Sequence, residues 1–166
     1  MTKKQKTCAT IVFAIYLVWL AWLVLFKLWL PGDGSFPHVR SVELIPFAPR
    51  DIELRQAVRE MIWNLIVFIP LGAYLKAFCE KRRFLSLLGI GFAISLGFEV
   101  IQFVFAIGAS DVTDVIMNTA GCAIGILLFL LMKKLFKGKA VTVLNVVGTV
   151  CEAAFFAFMT MVVIAN

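Results

Sequence analysis

The sequence predicts an all-α integral membrane protein with five transmembrane helices. Its composition is the first reason: of 166 residues, 62% are hydrophobic and 16% are charged, whereas a soluble domain is nearer half apolar and a quarter charged. Backbone groups in lipid must be hydrogen-bonded within the spanning segment, so helices are the default. The alternating pattern of a membrane β-barrel is absent from the sequence.

The second observation is the spacing of the apolar stretches, five of which approach or exceed the roughly 17 to 25 residues that a helix needs to cross the hydrocarbon. The first stretch follows several lysines, as a signal peptide does, but it is long and ends in Trp29-Leu30 without a small-residue cleavage site. We therefore expect a retained anchor and one membrane domain over residues 1–166. The predicted spans are about Cys8–Leu30, Met61–Phe78, Phe84–Ile107, Val115–Leu131 and Val141–Ala165.

The third observation is the position of the basic residues. Lysines and arginines concentrate in the N-terminal tail, in residues 80–83 and in residues 133–139. Short loops rich in these residues stay in the cytoplasm, so we expect a cytoplasmic N-terminus and an extracytoplasmic C-terminus. This bias explains the net charge of +6 and indicates no nucleic-acid partner.

The outer side then holds the 31–60 loop and the short turn at 108–114. We expect the first part of the loop to be irregular, because it contains several prolines. The alternating charges of residues 50–60 predict an interfacial helix that leads into the second span. His38 is expected to be a solvated loop residue. The four cysteines predict neither a disulfide nor a metal site, because none lies in an outer loop and no C-x-x-C spacing occurs.

A polar stripe is predicted on the third span. On a helix, Gly91, Ser95, Glu99 and Gln102 fall within about 80° of one another. Glu99 lies about 12 Å below the outer end of the span at 1.5 Å rise per residue. It is therefore expected slightly to the outer side of the membrane midplane.

A second stripe is predicted on the fourth span, where Asp114 and Asn118 continue into Gly121 and Gly125. The two glycines form a small-xxx-small packing surface. Because the connecting turn is short, the third and fourth spans are expected to be antiparallel neighbours. If the stripes face each other, their polar residues form one cluster that opens to the outer leaflet.

Other polar residues extend this candidate cavity. Asn64 lies near the outer end of the second span, after Arg55 and Arg59, whose guanidinium groups could neutralise carboxylates or bind a lipid phosphate. Glu152 lies near the middle of the fifth span, and the sequence leaves open whether it joins the cluster or has a separate partner.

A buried charge needs an explanation, because an ionised residue at the bilayer centre costs about 3 kcal/mol on insertion scales. One interpretation is a functional site in which Glu99 titrates, coordinates a cation or donates a hydrogen bond. The other is a structural contact, with protonated Glu99 hydrogen-bonded to Gln102 or Asn118. The alignment of several polar groups at one depth favours the functional site.

Four segments carry a family resemblance: ELIPF at 43–47, NLIVFIPLG at 64–72, FEVIQF at 98–103 and SDVTDVIMNTAGCAIG at 110–125. In this order, with the E-x-x-Q and D-x-x-x-N spacings, they resemble the VanZ-like family of small bacterial membrane proteins. The resemblance extends from about residue 10 to residue 136 and leaves the fifth span, at about 141–165, as an extra end.

The resemblance implies a multi-pass protein of the bacterial cytoplasmic membrane. Its founding member is associated with low-level resistance to teicoplanin, a glycopeptide with a lipid tail. Many relatives have an arginine in the turn before the aspartates, where this chain has Gly108-Ala109-Ser110, so Arg55 or Arg59 would have to substitute. Carried over by position, the family's signature residues are Asn64, Glu99, Gln102, Asp111, Asp114 and Asn118, with Pro46 and Pro70 shaping the backbone.

Three classes of function remain open. The favoured class is a non-catalytic envelope factor whose outer cavity binds membrane lipids or a lipoglycopeptide. The second is an enzyme acting on a lipid-linked envelope precursor, with Glu99 as general acid or base and Asp111 and Asp114 holding Mg²⁺ or Ca²⁺. The third is proton-coupled transport through Glu99 and Glu152, which at this size would require a homo-oligomer. Without a nucleophile–base pair or a complete metal-ligand set in the sequence, we favour no enzyme and expect no cofactor.

Overall fold

A computed structural model describes residues 1–26, 39–47 and 54–165. Predictions for His38, for Trp29-Leu30 and for residues 50–53 fall outside these ranges. The described residues form five α-helices, two short strands and one 3₁₀ turn. In chain order these are α1 (Lys3–Phe26), β1 (Val39–Glu43), α2 (Leu54–Phe78), α3 (Phe84–Phe105), β2 (Ile107–Asp111), α4 (Val112–Phe136), the 3₁₀ turn (Lys137–Lys139) and α5 (Ala140–Ala165).

The membrane character of the fold is evident from length and hydropathy. Four helical stretches are long and apolar enough to cross a bilayer: α1, α2, α3 and the run Val112–Ala165, which contains α4 and α5. The helices extend beyond most of the predicted apolar stretches, and α2 begins at Leu54 rather than near Met61. Helical hydrogen bonding continues through polar residues, so hydropathy alone places the helix ends too far inside.

Successive helices run up and down the bundle. The ring of Phe13 in α1 lies 5.3 Å from that of Tyr74 and 5.6 Å from that of Phe78, near the end of α2. The Tyr16 hydroxyl donates a 2.6 Å hydrogen bond to the Val67 carbonyl. This carbonyl lies in the turn before Pro70, whose missing N–H interrupts the helical hydrogen bonds of α2.

Helix α5 lies beside α1 and runs in the same direction. Near their starts, the Gln5 side-chain amide donates to the Thr142 hydroxyl over 2.9 Å. Farther along, the ring of Trp19 lies 5.0 Å from that of Phe155, edge to face. The two helices therefore begin at the same end of the bundle.

Glycines allow α4 to pack closely against α2. Gly121 lies directly against the Leu65 carbonyl and Gly125 against the Ile69 carbonyl, so that any Cβ there would overlap backbone atoms. The predicted packing role of the glycine pair is confirmed. Its partner is α2, while the polar residues at the start of α4 face α3.

The three basic segments meet at one end of the bundle. Lys133 at the end of α4 forms an ion pair with Glu80 in the 80–83 loop. The buried ammonium of Lys76 donates to the carbonyls of Glu80 and Arg82 over 2.8 and 2.9 Å. Gln5 also reaches the Gly138 carbonyl at 3.5 Å, which brings the N-terminal tail to the same end.

A small parallel sheet at the opposite end corrects the all-α prediction. Val39 pairs with Ile107 and Glu43 with Asp111, in register along five residues. The sequence predicted an irregular loop and a tight turn here. The strands form because connecting backbone at a helix end still needs hydrogen-bond partners, and the two segments supply them to each other.

Candidate functional site

The site is built around Glu99, on the buried face of α3. Its Oε2 atom accepts a 2.9 Å hydrogen bond from the backbone N–H of Asp111. The Glu99 carbonyl accepts a 2.7 Å bond from the Ser110 hydroxyl. Strand β2 thus folds back over the end of α3, and its last two residues hold Glu99 in place.

Asp111 links the sheet to α4. Its Oδ1 atom accepts a 2.7 Å hydrogen bond from the Thr113 N–H and so caps the helix N-terminus. Asp114 lies buried in the first turn, where the helix dipole favours negative charge. The Thr113 hydroxyl accepts a 3.0 Å bond from the Phe47 N–H, which joins the ELIPF segment to the site.

The two predicted stripes face each other. Every polar member is buried, and the Asn118 amide on α4 donates a 2.9 Å hydrogen bond to the Ser95 hydroxyl on α3. Gln102 turns toward α1, where its amide donates to the Val24 carbonyl over 3.0 Å. The amide oxygens of Asn118 and Gln102 are buried and accept no hydrogen bond from the described part of the chain.

Three predicted members lie apart from these contacts. Asn64 is half-buried on α2, and Arg55 and Arg59 are exposed near its start. Among the described residues, no hydrogen bond or ion pair joins any of the three to the polar cluster. Their place in a binding cavity stays a prediction.

Arg40 is a site residue that the sequence did not reveal. On β1 it stands opposite Gly108, and its guanidinium donates to the carbonyls of Phe103 and Val104 over 3.2 and 3.1 Å. The guanidinium carbon lies 5.5 Å from the centre of the Phe103 ring. A cation at the end of α3 is favourable because the helix dipole is negative there. In the sequence, only the positive charge of Arg40 pointed to a role, because the loop that contains it was expected to be irregular.

A groove of about 230 Å³ opens beside the cluster, between the sheet, the second half of α3 and the first half of α4. The exposed wall of the groove is apolar. Glu99 and Asp111 contribute to the lining, but their polar atoms are buried behind that wall. The lining is completed by side chains such as Val42, Leu44, Leu96, Val100 and Phe103. The arrangement suits an alkyl chain passing over a fixed polar centre.

Asp111 and Asp114 are the predicted ligands of a divalent cation. In the described ranges, no three His, Cys, Asp or Glu side chains are grouped so as to hold a metal ion. One oxygen of Asp111 is already engaged as the helix cap. A cation held by Asp111 and Asp114 stays a prediction.

Glu152 lies elsewhere. It is half-buried on α5 and lines a second groove, between α1 and α5, together with Lys3 and Lys4 at the basic end of the bundle. The structure therefore gives Glu152 a setting separate from the Glu99 cluster.

The fold and the buried polar residues define a small helical membrane protein with an organised site at one end. The sequence pattern of the family described as VanZ/LLP1 matches residues 13–133, and the chain belongs to this family. It is 46% identical over 122 residues to "Protein VanZ" of Enterococcus faecium, covering 73% of each chain. No solved structure matches. The family match ends before α5 begins.

Proposed function

We propose that this protein is a non-catalytic factor of the bacterial cytoplasmic membrane that lowers sensitivity to teicoplanin. It does so by binding the alkyl tail of a lipid-tailed molecule in the groove beside Glu99. The ligand is the glycopeptide itself or a lipid-linked envelope precursor, each of which carries a hydrocarbon chain.

The proposal includes an orientation. Three basic segments at one end of the bundle favour a cytoplasmic location for that end, and the sheet and the groove then face the outer leaflet. The run Val112–Ala165 contributes two spans, because the chain turns at Lys137, whose φ is 49°. Five spans result, with the N-terminus inside and the C-terminus outside.

The observation that carries the proposal is the apolar groove against a polar cluster held by hydrogen bonds. Apolar lining residues such as Val42 and Val100 provide contact for a hydrocarbon chain. The capped start of α4 and the Ser110–Glu99 bond keep the wall behind it rigid. The exposed guanidinium of Arg40 stands at the same end, where it would meet an anionic headgroup.

The first experiment fills the groove. Val100 and Val104 are both exposed on α3, but only Val100 lines the groove. In a susceptible host, the unmodified chain and the Val104→Trp variant should raise the inhibitory concentration of teicoplanin, and Val100→Trp should not. None of the three should protect against a glycopeptide that lacks a lipid tail. Equal protection by both tryptophan variants at equal membrane levels would remove the groove from the mechanism.

The second experiment separates a binder from an enzyme. Glu99→Gln keeps an oxygen that can accept the Asp111 N–H bond but removes the ionisable group. We expect this variant to retain teicoplanin tolerance. Loss of tolerance at normal membrane levels would instead indicate that the carboxyl group acts chemically. Lipid extracts after deletion and overexpression would then reveal a changed envelope precursor.

A further inference from the structure

A second groove opens at the basic end of the bundle, between α1 and α5, with a volume of about 810 Å³. This volume lies within the range of sites that hold small molecules, roughly 300 to 1,000 Å³. Only Ile15 of its lining residues falls within the stretch that matches the family pattern. The groove is therefore a feature of the two ends of this chain. It is lined by Lys3, Lys4, Thr7, Cys8, Ile11, Val12, Ile15, Thr149 and Glu152.

Charge is distributed unevenly along this groove. Lys3 and Lys4 are exposed in the first turn of α1 and form its mouth. Ile11 and Ile15 follow about two and three turns deeper and present apolar surface. Glu152 lies twelve residues into α5, about 18 Å along the helix at 1.5 Å rise per residue.

We propose that this groove binds an anionic phospholipid, with the phosphate on Lys3 and Lys4 and an acyl chain along Ile11 and Ile15. Basic pockets between transmembrane helices on the cytoplasmic side are suited to such headgroups. This site is independent of the groove beside Glu99.

The test uses native mass spectrometry of the full chain, released from bilayers that contain phosphatidylglycerol and phosphatidylcholine. The unmodified protein should retain phosphatidylglycerol in preference to phosphatidylcholine. Each lysine that contacts the anionic headgroup should change affinity about fivefold, so the double variant Lys3→Gln/Lys4→Gln should weaken retention about twenty-five-fold. Lys6 is the matched control, because it is an exposed lysine of the same helix that does not line the groove. Lys6→Gln should change retention little.

A second measurement follows the groove itself. Cys8 and Cys151 are both free and exposed, but only Cys8 lines the groove. In single-cysteine variants, phosphatidylglycerol should slow maleimide labelling of Cys8 severalfold relative to phosphatidylcholine and leave Cys151 unchanged. Ile11→Trp, which fills the groove without changing charge, should abolish phosphatidylglycerol retention.

Three outcomes would overturn the proposal. Equal losses from Lys6→Gln and from the Lys3/Lys4 pair would indicate general attraction to an anionic surface. Protection of Cys8 that depends on protein concentration and not on lipid type would indicate that a second copy of the chain covers the groove. Unchanged retention in Ile11→Trp would place the lipid elsewhere.

Discussion

The side-chain amide of Asn118 donates a 2.9 Å hydrogen bond to the hydroxyl of Ser95, and both residues are fully buried between α4 and α3. One turn farther along α3, the Glu99 carboxyl accepts a hydrogen bond from the backbone N–H of Asp111. The Ser95–Asn118 bond therefore fixes the register of α3 against α4 that places Glu99 beneath the start of α4.

We predict a measurable coupling between these two residues. Hydrogen bonds between transmembrane helices contribute about 0.6 kcal/mol on average and up to about 1.7 kcal/mol. A double-mutant cycle of Ser95→Ala and Asn118→Ala should give a coupling energy in that range, from unfolding in mixed detergent micelles. Additive effects of the two substitutions would show that the bond does not contribute to stability.

Two substitutions of Asp111 should separate its helix-capping role from any role of its negative charge. Loss of the cap in Asp111→Ala should lower the free energy of unfolding by about 1 kcal/mol. Asp111→Asn keeps an oxygen that can accept the Thr113 N–H, so its stability should stay close to that of the unmodified chain. If Asp111→Asn abolishes teicoplanin tolerance while remaining stable, the negative charge itself is required.

The close approach of α4 and α2 predicts a strong effect at Gly121. Gly121→Ala would press a methyl group on the Leu65 carbonyl, and separating the helices should cost about 3 kcal/mol or more. Gly97→Ala on α3 is the control, since a Cβ there meets no atom within 4 Å. The control should be neutral or stabilising by up to about 1 kcal/mol. Thermal unfolding of both proteins in one detergent compares them directly.

The stability of the basic end should depend more on the hydrogen bonds of Lys76 than on the ion pair between Lys133 and Glu80. Lys76→Met leaves the carbonyls of Glu80 and Arg82 without their donor, and we expect a loss of about 2 to 3 kcal/mol in unfolding free energy. The side chains of Lys133 and Glu80 are 47% and 52% exposed, so Lys133→Gln should cost less than about 1 kcal/mol. A reversed order of the two losses would contradict this account.

Helical periodicity predicted the centre of the site well. Residues spaced four apart share a helix face whatever the tertiary partner, so the burial of Ser95 and Glu99 on one stripe followed from their positions alone. The facing of Asn118 toward that stripe followed from the short connection between the helices. The burial of Ser95 and Glu99 confirms the first prediction, and the Ser95–Asn118 hydrogen bond confirms the second.

Long-range pairing was not predictable in the same way. Strand β1 carries no alternating apolar pattern that identifies its partner, and Arg40 reaches the end of α3 only because β1 pairs with β2. The burial of Lys76 could not be predicted from the sequence either, since a lysine near a helix end ordinarily extends to solvent. Its carbonyl partners follow within six residues, but only the folded loop turns them toward the ammonium.

The parallel pairing of Val39 with Ile107 also orders events during biosynthesis. Strand β1 is synthesised before α2 and α3, yet its partner β2 follows α3, so the two strands can pair only after both helices have been made. Contacts between segments so distant in sequence form late, because the intervening chain must first be placed. The groove wall that contains Val42 is therefore among the last parts of the molecule to be completed. A chain arrested after α3 would hold the Glu99 stripe in the membrane without the surface that covers it.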